Sequence, residues 1–253
     1  MPSIDLNCDL GESFGAYTMG MDAEVLPFIS SANIACGFHA GDPSVMQKSV
    51  LLCKKYGVQA GAHPGLPDLR GFGRRNMAIS PADAELDVMY QIGALKAFCR
   101  AAGVPLHHVK PHGALYNMAA KDPALAQAIC RAVQAAAPEA MLLALSGSEM
   151  LKAAQAMGLR VCSEVFADRA YRPDGTLVPR GLPGAMIENE EDAIARVVQM
   201  AKQGTVRAAD GSTVTLQADS VCVHGDGRKA LCFVKQLSAA LPAAGIEIKA
   251  YNA

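Results

Sequence analysis

Residues 3–12 read SIDLNCDLGE: Ile4, Leu6 and Cys8 alternate with Asp5, Asn7 and Asp9, and Glu12 follows two residues after Leu10. Alternation with period two predicts a strand over Ser3–Cys8 with one apolar face and one acid–amide–acid face. Five more stretches share this grammar of a short apolar or small-residue run ending in ionisable side chains. They are ANIACGFHAGD (32–42), VQAGAHPG (58–65), LHHVKPHGALY (106–116), RVCSEVFADR (160–169) and SVCVHGDGR (220–228). Segments of helical pattern lie between most of them. Parallel strands alternating with helices, with reactive groups at one end of each strand, predict a β/α barrel whose C-terminal face carries the active site. The fold expected is therefore α/β, a distorted (β/α) barrel, as a single domain over residues 1–253.

Working outward, strands are expected at Ser31–Cys36, Val58–Ala62, Leu106–Val109, Met141–Leu145, Leu159–Glu164 and Ser220–Val223, with a last short one near Ile246–Lys249. Helices are expected at Pro43–Tyr56, Pro81–Ala102 with Ser80 as N-cap, Pro123–Ala137, Ser148–Met157, Glu188–Gln203 and Arg228–Leu241. Thr205–Gln217 reads as a hairpin turning at Asp210-Gly211. In a barrel the outer face of each strand meets helices and must be apolar, so Asp5, Asn7 and Asp9 point inward. The same parity aligns Asn33, Ala35, Gly37 and His39; Gln59, Gly61 and His63; and His108, Lys110 and His112. Small residues beneath a histidine leave room that packing alone would fill with Val, Ile or Leu.

Composition narrows the class. Hydrophobic residues make up 51% and charged residues 19%, which supports a large core and excludes disorder. A net charge of −1 without a basic stripe argues against nucleic acid or an anionic membrane as partner. No apolar run is long enough to span a bilayer, and MPSIDLNCD lacks the layout of a signal peptide, so a cytoplasmic location is expected. The eight cysteines are scattered without a C-x-x-C pair, which reads as packing rather than structural zinc.

Asp9, Glu12, His39, His63, Lys110 and His112 are the candidate catalytic residues. Crowded carboxylates raise one another's pKa or recruit a cation, although a hydrogen-bonded scaffold is the plainer alternative. Asp9, His39 and His63 end adjacent strands and have the ligand types of a zinc-like site holding a hydrolytic water, without any H-x-x-x-H signature. Lys110 suits an oxyanion or phosphate clamp, or else pairs with Asp5 or Asp9 inside the barrel. His112 is a candidate general acid or base. Asp5, Asn7, Asp42, Glu164, Asp168, Arg169, His224 and Asp226 are candidates for holding substrate. The glycines around Asp226 open a helix and can turn backbone N–H groups toward an anion. Phe72, Arg74 and Arg75, in a long Gly-rich loop, are placed to cover the site or meet a partner. No G-x-x-x-x-G-K-[ST] occurs, so the chain has no P-loop.

At these residues the sequence resembles the LamB/YcsF family. The matching stretches are DLNCDLGESFG (5–15), SANIACGFHAGDP (31–43), GAHPGLPDLRGFGRR (61–75), KPHGALYN (110–117), EVFADRAYRPDGTLVPR (164–180) and CVHGDG (222–227). The family is associated with the A-subunit of the prokaryotic ATP-hydrolysing 5-oxoprolinase. The resemblance implies a distorted barrel similar to glycoside hydrolases and polysaccharide deacetylases. It also implies opening of the 5-oxo-L-proline lactam to L-glutamate, with ATP consumed through partner subunits B and C. The residue roles above come from the residues themselves. Two other readings stay open: a metal-dependent deacetylase acting on an N-acyl sugar, and a non-catalytic subunit that binds substrate. A homo-oligomer and a divalent metal are compatible with all three.

Overall fold

The alternation in residues 3–10 becomes the first barrel strand. A computed structural model of the chain describes residues 2–223 and 228–252. Strand β1 (Ser3–Leu10) turns Ile4, Leu6, Cys8 and Leu10 into the main hydrophobic core, as its apolar parity requires. It pairs in parallel with β2 (Ser31–Ala35) on one side and β9 (Ser220–Val223) on the other. Strands β3 (Gln59–His63), β4 (Leu106–Val109), β5 (Met141–Leu145) and β6 (Val161–Phe166) complete a closed ring in the order β1-β2-β3-β4-β5-β6-β9. The expected barrel is borne out, as a closed ring of seven strands. A final strand, β10 (Glu247–Ile248), is too short to enter the ring and pairs with the start of β1. Between β6 and β9, β7 (Thr205–Arg207) and β8 (Thr213–Thr215) form the antiparallel hairpin expected around Asp210-Gly211.

Helices α2 (Pro43–Tyr56), α3 (Pro81–Ala102), α5 (Pro123–Ala136), α6 (Glu149–Ala156), α7 (Glu190–Gln203) and α8 (Arg228–Ala243) fall where their sequence signals put them. Asp42, Ser80, Asp122, Ser148 and Asn189 each cap a helix by accepting a backbone N–H. Two short helices had no such signal: α1 (Asp22–Val25) and α4 (Gly113–Ala119). The latter begins at a glycine and has no side-chain cap, because the His112 ring at its N-cap is engaged elsewhere. Its seven residues are too few for a period of 3.6 to show.

Candidate active site

Inside the barrel, β1 sets the polar layers. Asp5 stands in register with Ser220 of β9, Asn7 with Ser31 of β2, and Asp9 with Asn33 of β2. Asp5 is buried and accepts hydrogen bonds from the hydroxyls of Ser30, Ser31 and Ser220. Burial outweighs those bonds and raises its pKa. One layer up, the Asn7 amide donates to Glu164 (3.0 Å) and Ser220 (2.7 Å), while its oxygen accepts from Asn33 (2.8 Å) and Lys110 (3.2 Å). Asn33 also donates to Asp9 (2.8 Å) and accepts from His108 Nε2 (2.7 Å). His108 needs the space over Gly61. A Cβ there would lie 2.1 Å from its Nε2, which explains the glycine facing it from β3. Buried among these groups, His108 has its pKa pushed well below the ordinary histidine value, first by desolvation and then by His107 and Lys110.

Lys110 follows the end of β4 and extends the ladder through its N–H to Ala62 O. Its ammonium lies 2.8 Å from Glu164 and 3.1 Å from Asp9, and it reaches Cys222 Sγ at 3.1 Å. Burial favours the neutral amine, but the two carboxylates prevail and hold Lys110 charged, well above its ordinary pKa. The lysine is thus paired with both carboxylates inside the barrel. Glu164 has a third donor that sequence reasoning missed, the hydroxyl of Tyr116 on α4 (2.6 Å).

Above this floor the histidines gather. β3 ends in His63. A turn closed by Gly37 N–H to Ala40 O, rather than continued strand parity, carries His39. His112 follows Pro111, and its N–H bonds to Pro64 O. His63 Nε2 lies 3.4 Å from Asp9 Oδ2 and 3.0 Å from His112 Nδ1. His39 stacks on His112 at 3.7 Å between ring centroids, and its Nε2 is 3.6 Å from Glu12 Oε1. Desolvation pushes His112 down to about 3 and His39 well below the ordinary value, so both are neutral at pH 7. Glu12, His39, His63 and His112 form a buried group whose ligand atoms lie within 4.8 Å of one another and can hold a metal ion. The structure therefore joins His39 and His63 with Glu12 and His112, and leaves Asp9 beside this set rather than in it.

A cavity of about 680 Å³ opens over this centre. Asp9, His63, Lys110 and His112 face it from below, and Arg74, Lys121, Arg169 and Arg180 line it with positive charge. The Gly-rich loop covers one side: Phe72 O accepts from His112 Nε2 at 2.9 Å, and Arg74 stacks 5.0 Å from the Phe72 ring centre. Arg75 turns away to Asp68. Other candidates stand elsewhere. Asp5 and Asn7 lie beneath the cavity, Asp42 caps α2, and Glu164 is a floor residue bound to Lys110. Arg169 donates to Val178 O while lining the cavity, whereas Asp168 does not line it. His224 and Asp226 lie outside the described residues. Lys121 and Arg180 were not singled out in sequence, since a lone cation in a loop or helix end has no pattern to mark it.

A model of the LamB/YcsF family matches residues 4–253. The 5-oxoprolinase A-subunit from Clostridium beijerinckii is 60% identical over 248 residues, covering 98% of this chain and 97% of that one. The protein of the same name from Bacillus subtilis is 57% identical over 252 residues, covering 100% and 98%. Among solved structures, a lactam utilization protein from Thermus thermophilus superposes with a TM-score of 0.93 at 48% identity, over 98% of this chain and all of that one. A family 4 carbohydrate esterase from Streptomyces lividans shares the fold alone, with a TM-score of 0.53 at 10% identity over 99% of this chain and 93% of that one. With a family match over nearly its whole length, and relatives more than half identical to it across the same span, the chain belongs to the LamB/YcsF family.

Proposed function

We propose that this chain is the lactam-opening subunit of an ATP-hydrolysing 5-oxoprolinase, working with partner subunits B and C on 5-oxo-L-proline. The observation that carries this reading is the cavity itself, with the Asp9 carboxylate and two histidines at its base and Arg74, Lys121, Arg169 and Arg180 around its walls. The names of the full-length relatives supply the substrate. 5-Oxoproline is a small anion, and guanidinium groups suit a carboxylate or a phosphoryl group.

A five-membered lactam is an unstrained amide, so water alone opens it slowly. Transfer of a phosphoryl group from ATP to the ring carbonyl oxygen, on the partner subunits, makes the carbon a better electrophile. Water then adds to that carbon, the carbon–nitrogen bond breaks, and the nitrogen takes up protons as the amino group of glutamate. A second water releases phosphate. In this chain the cationic wall holds the anionic groups, and Asp9 orients and deprotonates the attacking water. Asp9 is itself held by Lys110 and Asn33. His112 presents its Nδ1 lone pair at the base of the cavity, its Nε2–H being held by Phe72 O. The deacetylase alternative rests on the shared fold alone.

The test is glutamate formation from 5-oxoproline and ATP with subunits B and C present. Glutamate should appear only when all components are combined, and this chain alone should not hydrolyse ATP. Robust ATPase activity of the purified chain, or full turnover without it, overturns the reading.

A further inference from the structure

Two backbone carbonyls settle which nitrogen of His63 and of His112 carries hydrogen. Lys110 O lies 2.7 Å from His63 Nδ1, and Phe72 O lies 2.9 Å from His112 Nε2. A carbonyl only accepts, so both of these nitrogens are N–H. With one N–H on each imidazole, the lone pairs lie on His63 Nε2 and His112 Nδ1. Those two lone pairs face each other across 3.0 Å. Two acceptors do not hold that distance unless positive charge lies within their reach.

The Glu12 carboxyl adds an oxygen to the group. Glu12 Oε1 is 3.8 Å from His112 Nδ1 and 3.6 Å from His39 Nε2. His39 is fully buried, and neither of its ring nitrogens has a hydrogen-bond partner among the described residues. Leaving a buried polar atom in that state is destabilising. Glycines press the ring into place: a Cβ on Gly65 would lie 2.6 Å from His39 Nδ1, and one on Gly73 would lie 2.7 Å from His39 Cβ. A buried ring held this tightly, with no hydrogen-bond partner for either nitrogen among the described residues, needs a reason outside packing.

We propose that Glu12, His39, His63 and His112 form a binding site for one divalent transition-metal ion of the zinc class. Metal–nitrogen and metal–oxygen bonds of about 2.0–2.2 Å place the ligand atoms of a tetrahedron roughly 3.3–3.6 Å apart. Three of the separations at this site, 3.0, 3.6 and 3.8 Å, bracket that edge, and all four ligand atoms lie within 4.8 Å of one another, so a bound ion would draw the set inward. Three imidazoles and one carboxylate suit zinc, cobalt, nickel or iron better than magnesium or calcium, which prefer all-oxygen shells. The Lys110 and Phe72 carbonyls serve as the outer contacts that fix ring orientation in metal-binding histidines. The competing way to relieve the facing lone pairs is an extra proton on one imidazole.

The experiment uses the full-length chain stripped of metal, titrated with cobalt(II) and then with zinc(II). One equivalent of cobalt should bind with the intense visible absorption of a four-coordinate nitrogen–oxygen site, and zinc should displace it. No near-ultraviolet thiolate charge-transfer band should accompany it, since no cysteine belongs to the set. Glu12→Gln and His39→Gln should each lower affinity by at least about 10–100-fold, the range over which even outer contacts tune metal sites. Nitrogen-15 spectra of the loaded protein should show no imidazolium among the mouth histidines. The proposal is overturned by stoichiometry well below one, by a thiolate band, by variants that bind as tightly as the parent, or by an imidazolium signal. Should a variant fail to fold, the parent's spectrum and stoichiometry still decide. Substrate enters none of these measurements, so the lactam reading stands or falls separately.

Discussion

The floor of the barrel and its mouth are built from the same residue types and differ in saturation. On the floor, Asp5 is met by three serine hydroxyls, Asn7 and Asn33 each use both ends of the amide, and Glu164 accepts from Asn7, Lys110 and Tyr116. At the mouth, His39 has no hydrogen-bond partner among the described residues, and His63 and His112 confront each other. A fully satisfied polar network fixes one structure. An unsatisfied one, kept buried, marks a place where something else completes the set. By that measure Asp5, Asn7, Glu164 and Asn33 are scaffold, and the histidines are the working end. Asp9 lies on the border, gripped by Lys110 and Asn33 below and touching His63 above.

The largest expected effect tests that border. Asp9→Asn keeps the side-chain size and removes the base, so turnover with subunits B and C saturating should fall by about 10²–10⁴. Lys110 retains Glu164 at 2.8 Å, so the fold should survive. A variant that melts early but turns over normally would transfer Asp9 to the floor. Unchanged turnover in a normally folded variant would favour the non-catalytic subunit.

Next comes Gly61→Ala, which probes the floor alone. The added Cβ would meet the His108 ring at 2.1–2.3 Å, so the ring or a strand must move. Overpacking of this kind costs about 1–3 kcal/mol, and this contact is severe enough to expect the upper end. Urea midpoints measure it. A loss below the error of the midpoint would show that the floor is soft, and the contrast with the mouth would fail.

Much of this was legible in the chain. Parity in SIDLNCD turned Asp5, Asn7 and Asp9 inward, and the strand–helix alternation was enough for a barrel. Parity could not separate scaffold from site, because both lie on the same inward face of one strand. What divides Asp5 from Asp9 is depth along the barrel, and depth depends on partners contributed from other strands: Ser31 and Ser220 for one, His63 and Lys110 for the other. His39 was found for an incomplete reason, since a turn at Gly37, not alternation, brings it to the mouth. Tyr116 stayed hidden because a seven-residue helix carries too little pattern.

The floor should also show itself in pH. His108 is held neutral in the folded chain, its pKa well below the unfolded value near 6.5. Below that pH the unfolded chain binds a proton that the folded chain refuses. Stability from this group is therefore complete above pH 6.5 and falls as the pH drops, by up to about 1.4 kcal/mol per unit. His108→Gln retains a donor for Asn33 and removes the titration. Between about pH 7 and pH 5.5, a window spanning the unfolded pKa, its urea midpoint should decline less than that of the parent. Equal slopes would mean that His108 is charged in the fold, and the Asn33 contact would then be an ion–dipole bond.

The smallest effect falls on Asp42, which sequence grouped with the substrate ligands and the structure places at a helix end near the mouth. Its carboxylate accepts from Val45 N at 2.9 Å and from Gly15 N at 2.8 Å, and these bonds lower its pKa. One bond caps α2, and the other ties down the loop that follows Glu12. Loss of an N-cap costs about 0.5–2 kcal/mol. Asp42→Ala should therefore lower the urea midpoint by an amount near the middle of that range. The same depressed pKa means that the parent should lose this contribution as the pH falls through the acid range, whereas the variant has none to lose. KM for 5-oxoproline should stay close to that of the parent, because the side chain points into backbone N–H groups and does not line the cavity. A raised KM with unchanged stability would reverse the assignment, and would extend the working end of the barrel from the histidines out to the first turn of α2.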